Sequence, residues 1–285
     1  MAIFKPQTIV AFIGDEHTNS TVGLSAIQVA TDDGSAHRAS KAQLWIRTCF
    51  EDYCRHLEKR VKNGLRRNRL IWVNNGDLVE GVHHNTTQIC TSNMAQQLKN
   101  AIKTLQPILS LNPNSIYIIR GTEAHSGASG QWDELFARDI RAVPVYEDKA
   151  PEDNEFSWYS LLLNIEGVLF DIAHTGEFGM SSWTGVNALN KIAMEAKDYY
   201  LSRGERCPDY VIRSHTHRWG ASAEDKSHSI KVVSVPSWQL CTSYSYRRKP
   251  GRFLDIGGYI FEVDNGRCNY EPVIYQPPGA RVCQA

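Results

Sequence analysis

At 285 residues, with 42% hydrophobic and 22% charged side chains, the chain has the composition of a globular protein with a substantial core. Its 31 basic and 31 acidic residues cancel, which argues against a protein that coats long nucleic acid by bulk charge but leaves local basic patches open. No run approaches the about 18 apolar residues of a membrane span, so none is expected.

Ile9-Val10-Ala11-Phe12-Ile13 makes residues 8–14 the first strand, and 15–37 reads as a loop rich in Gly, Ser, Thr and Asp. Ser40 suits the N-cap of a helix through about Lys62, with Leu44, Trp45, Thr48, Cys49 and Leu57 near one face and Asn63-Gly64 closing it. Residues 70–74 form the second strand, 92–110 a helix that stops before Asn112-Pro113, and 115–120 the third strand. A helix over 130–141 and a short strand over 143–146 follow. Residues 156–164 and 167–173 alternate and meet at Glu166-Gly167, which predicts a hairpin. A glycine-rich loop (176–185) leads to a helix at 186–203, then strands near 209–213, 230–235, 257–263 and 270–275. Strand–helix alternation first and antiparallel strands later predict a mixed α/β (α+β) fold, a two-sheet β-sandwich flanked by helices. With no repeat or composition break, residues 1–285 are expected to form a single domain. The seven cysteines form no Cys-x-x-Cys pair and follow no secretory leader, so reduced thiols in a bacterial or phage-infected host cytoplasm are expected.

Polar residues stand at the ends of these strands. Asp15 and His17 follow the first, and in extended backbone residues two apart share a face, so both can grip one ion. Asp77 follows the second strand after Gly76, which permits a tight turn; a carboxylate there can bridge two cations about 3.5–4 Å apart. The third strand runs into Gly121-Thr122-Glu123-Ala124-His125. His174 ends a later strand, and His215 and His217 repeat the spacing of two. Each signal alone is weak, because Asp/His turns and satisfied core histidines are common. Their ordered recurrence at strand ends is what points to a two-metal hydrolytic centre.

In that order the segments resemble the calcineurin-like metallophosphoesterase superfamily, whose pattern is Asp-x-His, Gly-Asp, Gly-Asn-His-(Asp/Glu), an isolated His, and Gly-His-x-His. The resemblance covers about residues 8–235, and a Gly-Thr-x-Ala-His third motif looks like that of phage or prophage phosphoesterases. It implies a calcineurin-like metallophosphoesterase fold and hydrolysis of phosphate esters by a hydroxide activated between two divalent ions. Asp15, His17 and His217 would hold one ion, His174 and His215 the other, and Asp77 would bridge them. Mixed nitrogen and oxygen ligation suits Mn, Fe, Zn or Ni.

The third motif departs from the pattern: Thr122 replaces the Asn ligand, Glu123 the His, and His125 is displaced by two positions. Three readings are open. Glu123 supplies the missing oxygen ligand, His125 reaches back as the general acid, or the second ion is weakly held. Trp238, Tyr244, Tyr246, Arg247, Arg248, Lys249 and Arg252 interleave aromatics with cations, so Tyr246, Arg247 and Arg248 are candidate substrate contacts for a nucleotide or nucleic acid; a plain exposed loop is the alternative. The expected activity is therefore a phosphodiesterase or nuclease. A phosphomonoesterase and a catalytically weak scaffold of the same fold are the alternatives.

Overall fold

Both faces of the first strand are buried, which places it between two hydrophobic layers. In the computed structural model, which describes residues 5–63, 66–83, 85–176, 182–223, 229–248 and 254–277, the elements run in this order. β1 (Thr8–Ile13) precedes a small ribbon of β2 (Gln28–Ala30) and β3 (Ala36–Arg38), then helix α1 (Lys41–Val61). A second small ribbon, β4 (Lys62–Asn63) and β5 (Arg66–Arg67), leads into β6 (Arg69–Asn74). Helices α2 (Met94–Thr104) and α3 (Gln106–Leu109), β7 (Ser115–Ile119), α4 (Glu123–Ser126) and α5 (Gln131–Asp139) complete the first half. The second half holds β8 (Ser157–Trp158), β9 (Ser160–Ile165), β10 (Val168–Ala173), α6 (Ser182–Ser202), β11 (Tyr210–Arg213), β12 (Gly220–Ala221) and β13 (Lys231–Ser234). Helix α7 (Ser243–Arg248), β14 (Ile256–Asp264) and β15 (Arg267–Tyr275) end it.

Two sheets form the sandwich, in the orders β15-β14-β1-β6-β7-β8 and β12-β13-β11-β10-β9. Within the first, β1, β6, β7 and β8 are parallel, β14 runs antiparallel to β1, and β15 runs antiparallel to β14 and so in the direction of β1; in the second, β10, β11 and β13 are parallel and β9 and β12 run antiparallel to them. The period-two alternation of β1 divides the core. Val10 and Phe12 point between the sheets, with Ile71, Phe170, Ile212 and Phe261. Ile9, Ala11 and Ile13 point the other way, onto Ile46, Phe50, Tyr53 and Leu57 of α1 and Phe136 of α5. Leu189 and Ala193 of α6 cover the outer face of the second sheet at Val211 and Val232. The result is a helix–sheet–sheet–helix layering, the mixed α/β two-sheet architecture that the element pattern predicts.

Local expectations hold where turn and cap chemistry is explicit. Ser40 caps α1 in a reciprocal box, its Oγ accepting from Gln43 N (3.2 Å) while Gln43 Oε1 accepts from Ser40 N (2.9 Å). Glu166 and Gly167 turn β9 into β10 with φ of 50° and 90°, as a tight hairpin demands. Other expectations fail. The buried stripe of α1 runs through Ile46, Phe50, Tyr53 and Leu57, and Leu44 is exposed, because a residue two positions from Ile46 lies more than half a turn away. Residues 156–164 are not one strand: Ser157–Trp158 joins the first sheet and Ser160–Ile165 the second, with Tyr159 65% exposed at the crossing. Residues 143–146 form no strand; Val143 and Val145 each donate one backbone bond, to Ile116 O and Glu155 O, and Pro144 between them has no N–H to give. Gly64, and residues 177–181 of the expected glycine-rich loop, lie outside the described residues.

Candidate metal centre

The carboxyl ends of β1, β6, β7, β10 and β11 converge. Asn75 ties three of them together, its Nδ2 donating to Ala173 O (3.2 Å) at the end of β10 and to Ser214 Oγ (2.7 Å) beyond β11. The polar residues expected at strand ends therefore meet, but not by the route that the spacing suggests. Asp15, His17, Asp77, His215 and His217 have φ of 52°, 43°, 52°, 71° and 55°. Each Asp/His and His/His pair thus leaves its strand through left-handed backbone rather than sharing a face of extended chain. Left-handed non-glycine residues cost about 1–3 kcal/mol each and persist only where the surroundings impose them, which makes their clustering here informative.

One group comprises Asp15, His17 and His217, whose ligand atoms lie within 4.8 Å of one another. His217 Nε2 is 3.1 Å from both Asp15 Oδ1 and His17 Nε2, and His17 Nε2 is 3.8 Å from Asp15 Oδ1. A second comprises Asp77, His174 and His215. His174 Nε2 lies 3.1 Å and His215 Nδ1 3.8 Å from Asp77 Oδ2. The groups adjoin through Asp15, whose Oδ2 accepts from the His215 backbone N–H at 3.1 Å. The His174 tautomer is set from behind, since Nδ1 lies 2.6 Å from Asn75 O, leaving Nε2 to face Asp77. That approach requires Gly76, with φ of 90°: a Cβ there would stand 2.4 Å from His174 Nδ1. Asp15, His17, Asp77 and His174 are buried, His217 is partly buried, and His215, whose side chain is 48% exposed, marks the mouth.

The third motif resolves by helix geometry. Thr122 is the N-cap of α4, and its backbone N–H and hydroxyl both reach Asp77 Oδ1, at 2.7 and 3.0 Å. Glu123, the next residue, is exposed and belongs to none of the candidate groups, so the structure does not bring this expected ligand to the centre. His125, two helical positions on, faces the opposite side, because residues two apart on a helix are rotated by about 200°. Glu123 and His125 therefore cannot serve the centre together. His125 packs edge-on against His17 with ring centroids 4.4 Å apart, and its Nδ1 lies 2.6 Å from Glu80 O.

Glu80 is the participant that sequence reading missed. It forms a third group with His17 and His125, with its Oε2 3.2 Å from His17 Nδ1. The only available signal was a carboxylate three residues after Asp77, in Asp77-Leu78-Val79-Glu80.

Burial opposes every charge in this cluster, and the charges survive by pairing. Burial would raise the Asp15 carboxyl, but His217 and His17 hold it below its ordinary range. His174 and His215 likewise outweigh burial to hold Asp77 well down. Burial would lower His17 and His174, yet Asp15 and Glu80 lift His17 to about 10 and Asp77 lifts His174 to about 9. Burial, then the His17 charge, pushes His125 down to about 4. Two imidazolium protons thus neutralise carboxylates inside a dry pocket, a task that a divalent cation performs equally well. Asp15 Oδ1 and His174 Nε2 are buried with no hydrogen bond of acceptable geometry, although an opposite group stands 3.1 Å from each. Mixed imidazole and carboxylate donors set this close together fit a first-row transition metal.

The aromatic and basic segment divides in two. Trp238 is fully buried against Phe50 and Tyr53, and its backbone N–H donates to Asp15 O (2.9 Å), so it is a core residue and not a stacking surface. Tyr246, 61% exposed, and exposed Arg247 lie on α7, which also contains Arg248. Lys249 and Arg252 lie outside the described residues.

No protein-family model and no curated protein matches this chain. Among solved structures, it is similar to Vps29 complexed with Zn2+ from Entamoeba histolytica, at 10% identity over 93% of this chain and 99% of that one, with a TM-score of 0.40. A predicted phosphoesterase from Streptococcus pneumoniae TIGR4 shows 10% identity over 96% of this chain and 95% of that one, at a TM-score of 0.36. A dimetal phosphatase from Danio rerio shows 10% identity over 94% of this chain and 96% of that one, at 0.38. Likeness at this level decides neither fold nor function. Among the described residues, no helix is long and apolar enough to cross a membrane.

Proposed function

We propose that this chain is a metal-dependent phosphoesterase of the calcineurin-like kind, acting on phosphodiesters of a nucleotide or nucleic acid. The observation that supports the reading is the adjacency of the Asp15/His17/His217 and Asp77/His174/His215 groups, joined through Asp15 and His215. Each would hold one divalent ion, with Asp77 as the shared carboxylate. When bound, such ions supply Lewis-acid activation of water and offset the negative charge that builds on the phosphate.

The chain's own residues orient and protonate. Asn75 O holds the proton on His174 Nδ1, and Thr122 fixes the Asp77 carboxylate by two donors. His125 donates Nδ1–H to Glu80 O, which leaves Nε2 as the atom that hands a proton to the leaving oxygen. His125 is neutral at neutral pH in the ion-free arrangement, and an arriving phosphate anion raises its pKa, so protonation is coupled to substrate binding. The preference for a diester rests on α7, whose exposed Tyr246 and Arg247 follow Gln239, a residue bonded to Glu80 at the centre.

The test compares Mn2+-loaded protein on bis-p-nitrophenyl phosphate and p-nitrophenyl phosphate. Faster turnover of the diester is expected, and a clear preference for the monoester overturns the choice of substrate class. Asp77→Asn should lose bound metal and turnover together; a near-normal rate in that variant removes the metal assignment.

A further inference from the structure

Trp219 stands two residues beyond His217, on the loop that also carries exposed His215. Two Cα–Cα steps of about 3.8 Å put its Cα no more than about 8 Å from that of His217. The register of the second sheet gives the side on which it lies. Gly220, the next residue, pairs with Ser234 at the carboxyl end of β13, and Ser234 pairs with Arg213 at the carboxyl end of β11. Trp219 is therefore on the rim where the candidate metal ligands converge, and it is 44% exposed.

Exposure of one large apolar residue carries nothing by itself. What singles out Trp219 is the bracing of its backbone. Its N–H donates to Asp255 Oδ2 (3.1 Å), and the Asp255 N–H donates to His217 O (3.1 Å), so one residue clasps both ends of the His217-Arg218-Trp219 segment. Between them, Ser234 Oγ donates to Arg218 O (2.7 Å). Asp255 O in turn accepts from Ser237 N (3.1 Å), next to Trp238, whose N–H donates to Asp15 O (2.9 Å). The indole is thus carried on backbone tied to both Asp15 and His217, while the residue itself stays exposed. A fixed aromatic surface beside a phosphate site suits a nucleobase, because stacking uses the flat face that every base presents.

We infer that the Trp219 indole is the platform on which the base of the nucleoside esterified to the scissile phosphate stacks, so that the centre selects nucleoside esters over plain alkyl diesters. The inference deepens the phosphodiesterase reading above and rests on it. It is separate from the contacts offered by α7, which is held elsewhere, through Ser243 N to Gln88 Oε1 (2.7 Å) and Leu240 N to Val22 O (2.9 Å). Trp219 moves with the end of the second sheet and α7 with the loop after β1, so the two can be tested apart.

The experiment measures Mn2+-loaded wild type, Trp219→Ala, Trp219→Leu and Trp219→Phe on two diesters with the same leaving group, thymidine 5′-(p-nitrophenyl phosphate) and methyl p-nitrophenyl phosphate. Wild type should favour the thymidine ester in kcat/KM. In Trp219→Ala that preference should fall about ten-fold, carried by KM and not by kcat. Trp219→Leu keeps apolar bulk without an aromatic face and should lose the preference equally, while Trp219→Phe should retain most of it. A preference that survives in Trp219→Ala or Trp219→Leu, or an equal loss of kcat on both esters, overturns the inference and leaves the phosphodiesterase reading standing. So does a wild-type chain that takes both esters equally well. A wild-type chain that turns over neither overturns both.

Discussion

Thr122 donates twice to one oxygen of Asp77, through its backbone N–H at 2.7 Å and its hydroxyl at 3.0 Å. The family pattern expects an amide ligand at this position, and a hydroxyl that anchors the carboxylate stands there instead. Thr122→Val keeps the shape and removes one donor to a buried charge, so affinity for one of two Mn2+ ions should fall about ten-fold. Thr122→Asn, which adds an amide oxygen beside Asp77, should raise it. Calorimetric titration of both variants checks the pair, and equal affinities would show that the hydroxyl has no part in metal binding.

His125 approaches the centre from α4 without belonging to the Asp15 or Asp77 groups. His125→Ala should lower turnover of a diester by about 10²–10⁴-fold if it protonates the leaving oxygen. Bound metal, measured by elemental analysis, should be unchanged. Loss of metal would instead make His125 a ligand.

Protonation and metal binding compete for the same imidazoles. His17 and His174 are lifted from an ordinary 6.5 to about 10 and about 9. Their contribution to the ion-free fold is thus complete below pH 6.5 and declines as pH rises through those folded values. Asp15 and Asp77 act oppositely: their contribution is present above 3.8 and is lost as pH falls through their depressed values. Chelator-treated protein should therefore melt at a lower temperature at about pH 9 than at about pH 6, and Mn2+ affinity should rise over that interval as protons leave. A pH-independent affinity would place the ions elsewhere.

Gly76 combines a φ of 90° with a Cβ position 2.4 Å from His174 Nδ1. Gly76→Ala should cost more than about 1 kcal/mol of stability and displace His174. Denaturant unfolding and metal content should both register it. A variant that melts like wild type and keeps its metal would show that the turn relaxes freely.

On α7, Tyr246 and Arg247 project to solvent. Replacing both with Ala should leave turnover of bis-p-nitrophenyl phosphate near wild type while raising KM for an oligonucleotide by about ten-fold or more, since a stacked base contributes about 1–3 kcal/mol. Equal effects on both substrates would assign the helix a structural role.

Much of this protein is legible from its residues. Apolar, β-branched runs announce β1, β6, β7, β10 and β11, because burial between layers demands such residues irrespective of what surrounds them. Glu166-Gly167 announces its hairpin because backbone with positive φ restricts which residues can turn a strand. Asp15, His17, Asp77, His174, His215 and His217 can be named because each follows a strand end. Extended backbone would group them by shared faces, and the fold instead groups them through left-handed turns that local sequence does not encode.

Tertiary structure decided the rest. Helical phase on the four-residue α4 turns His125 inward and Glu123 outward, and the N-cap that sets this phase is fixed by the Thr122–Asp77 contact across two strands. Sequence alone places Trp238 in an aromatic surface, yet it is core, because burial depends on what packs above a residue and not on its neighbours in the chain. Glu80 carries only the weak signal of a carboxylate three residues after Asp77. Its place follows from a hydrogen-bond lattice between the segments after β1 and β6, together with Gln239 from far along the chain, and contacts of that range exist only once the sheets have assembled.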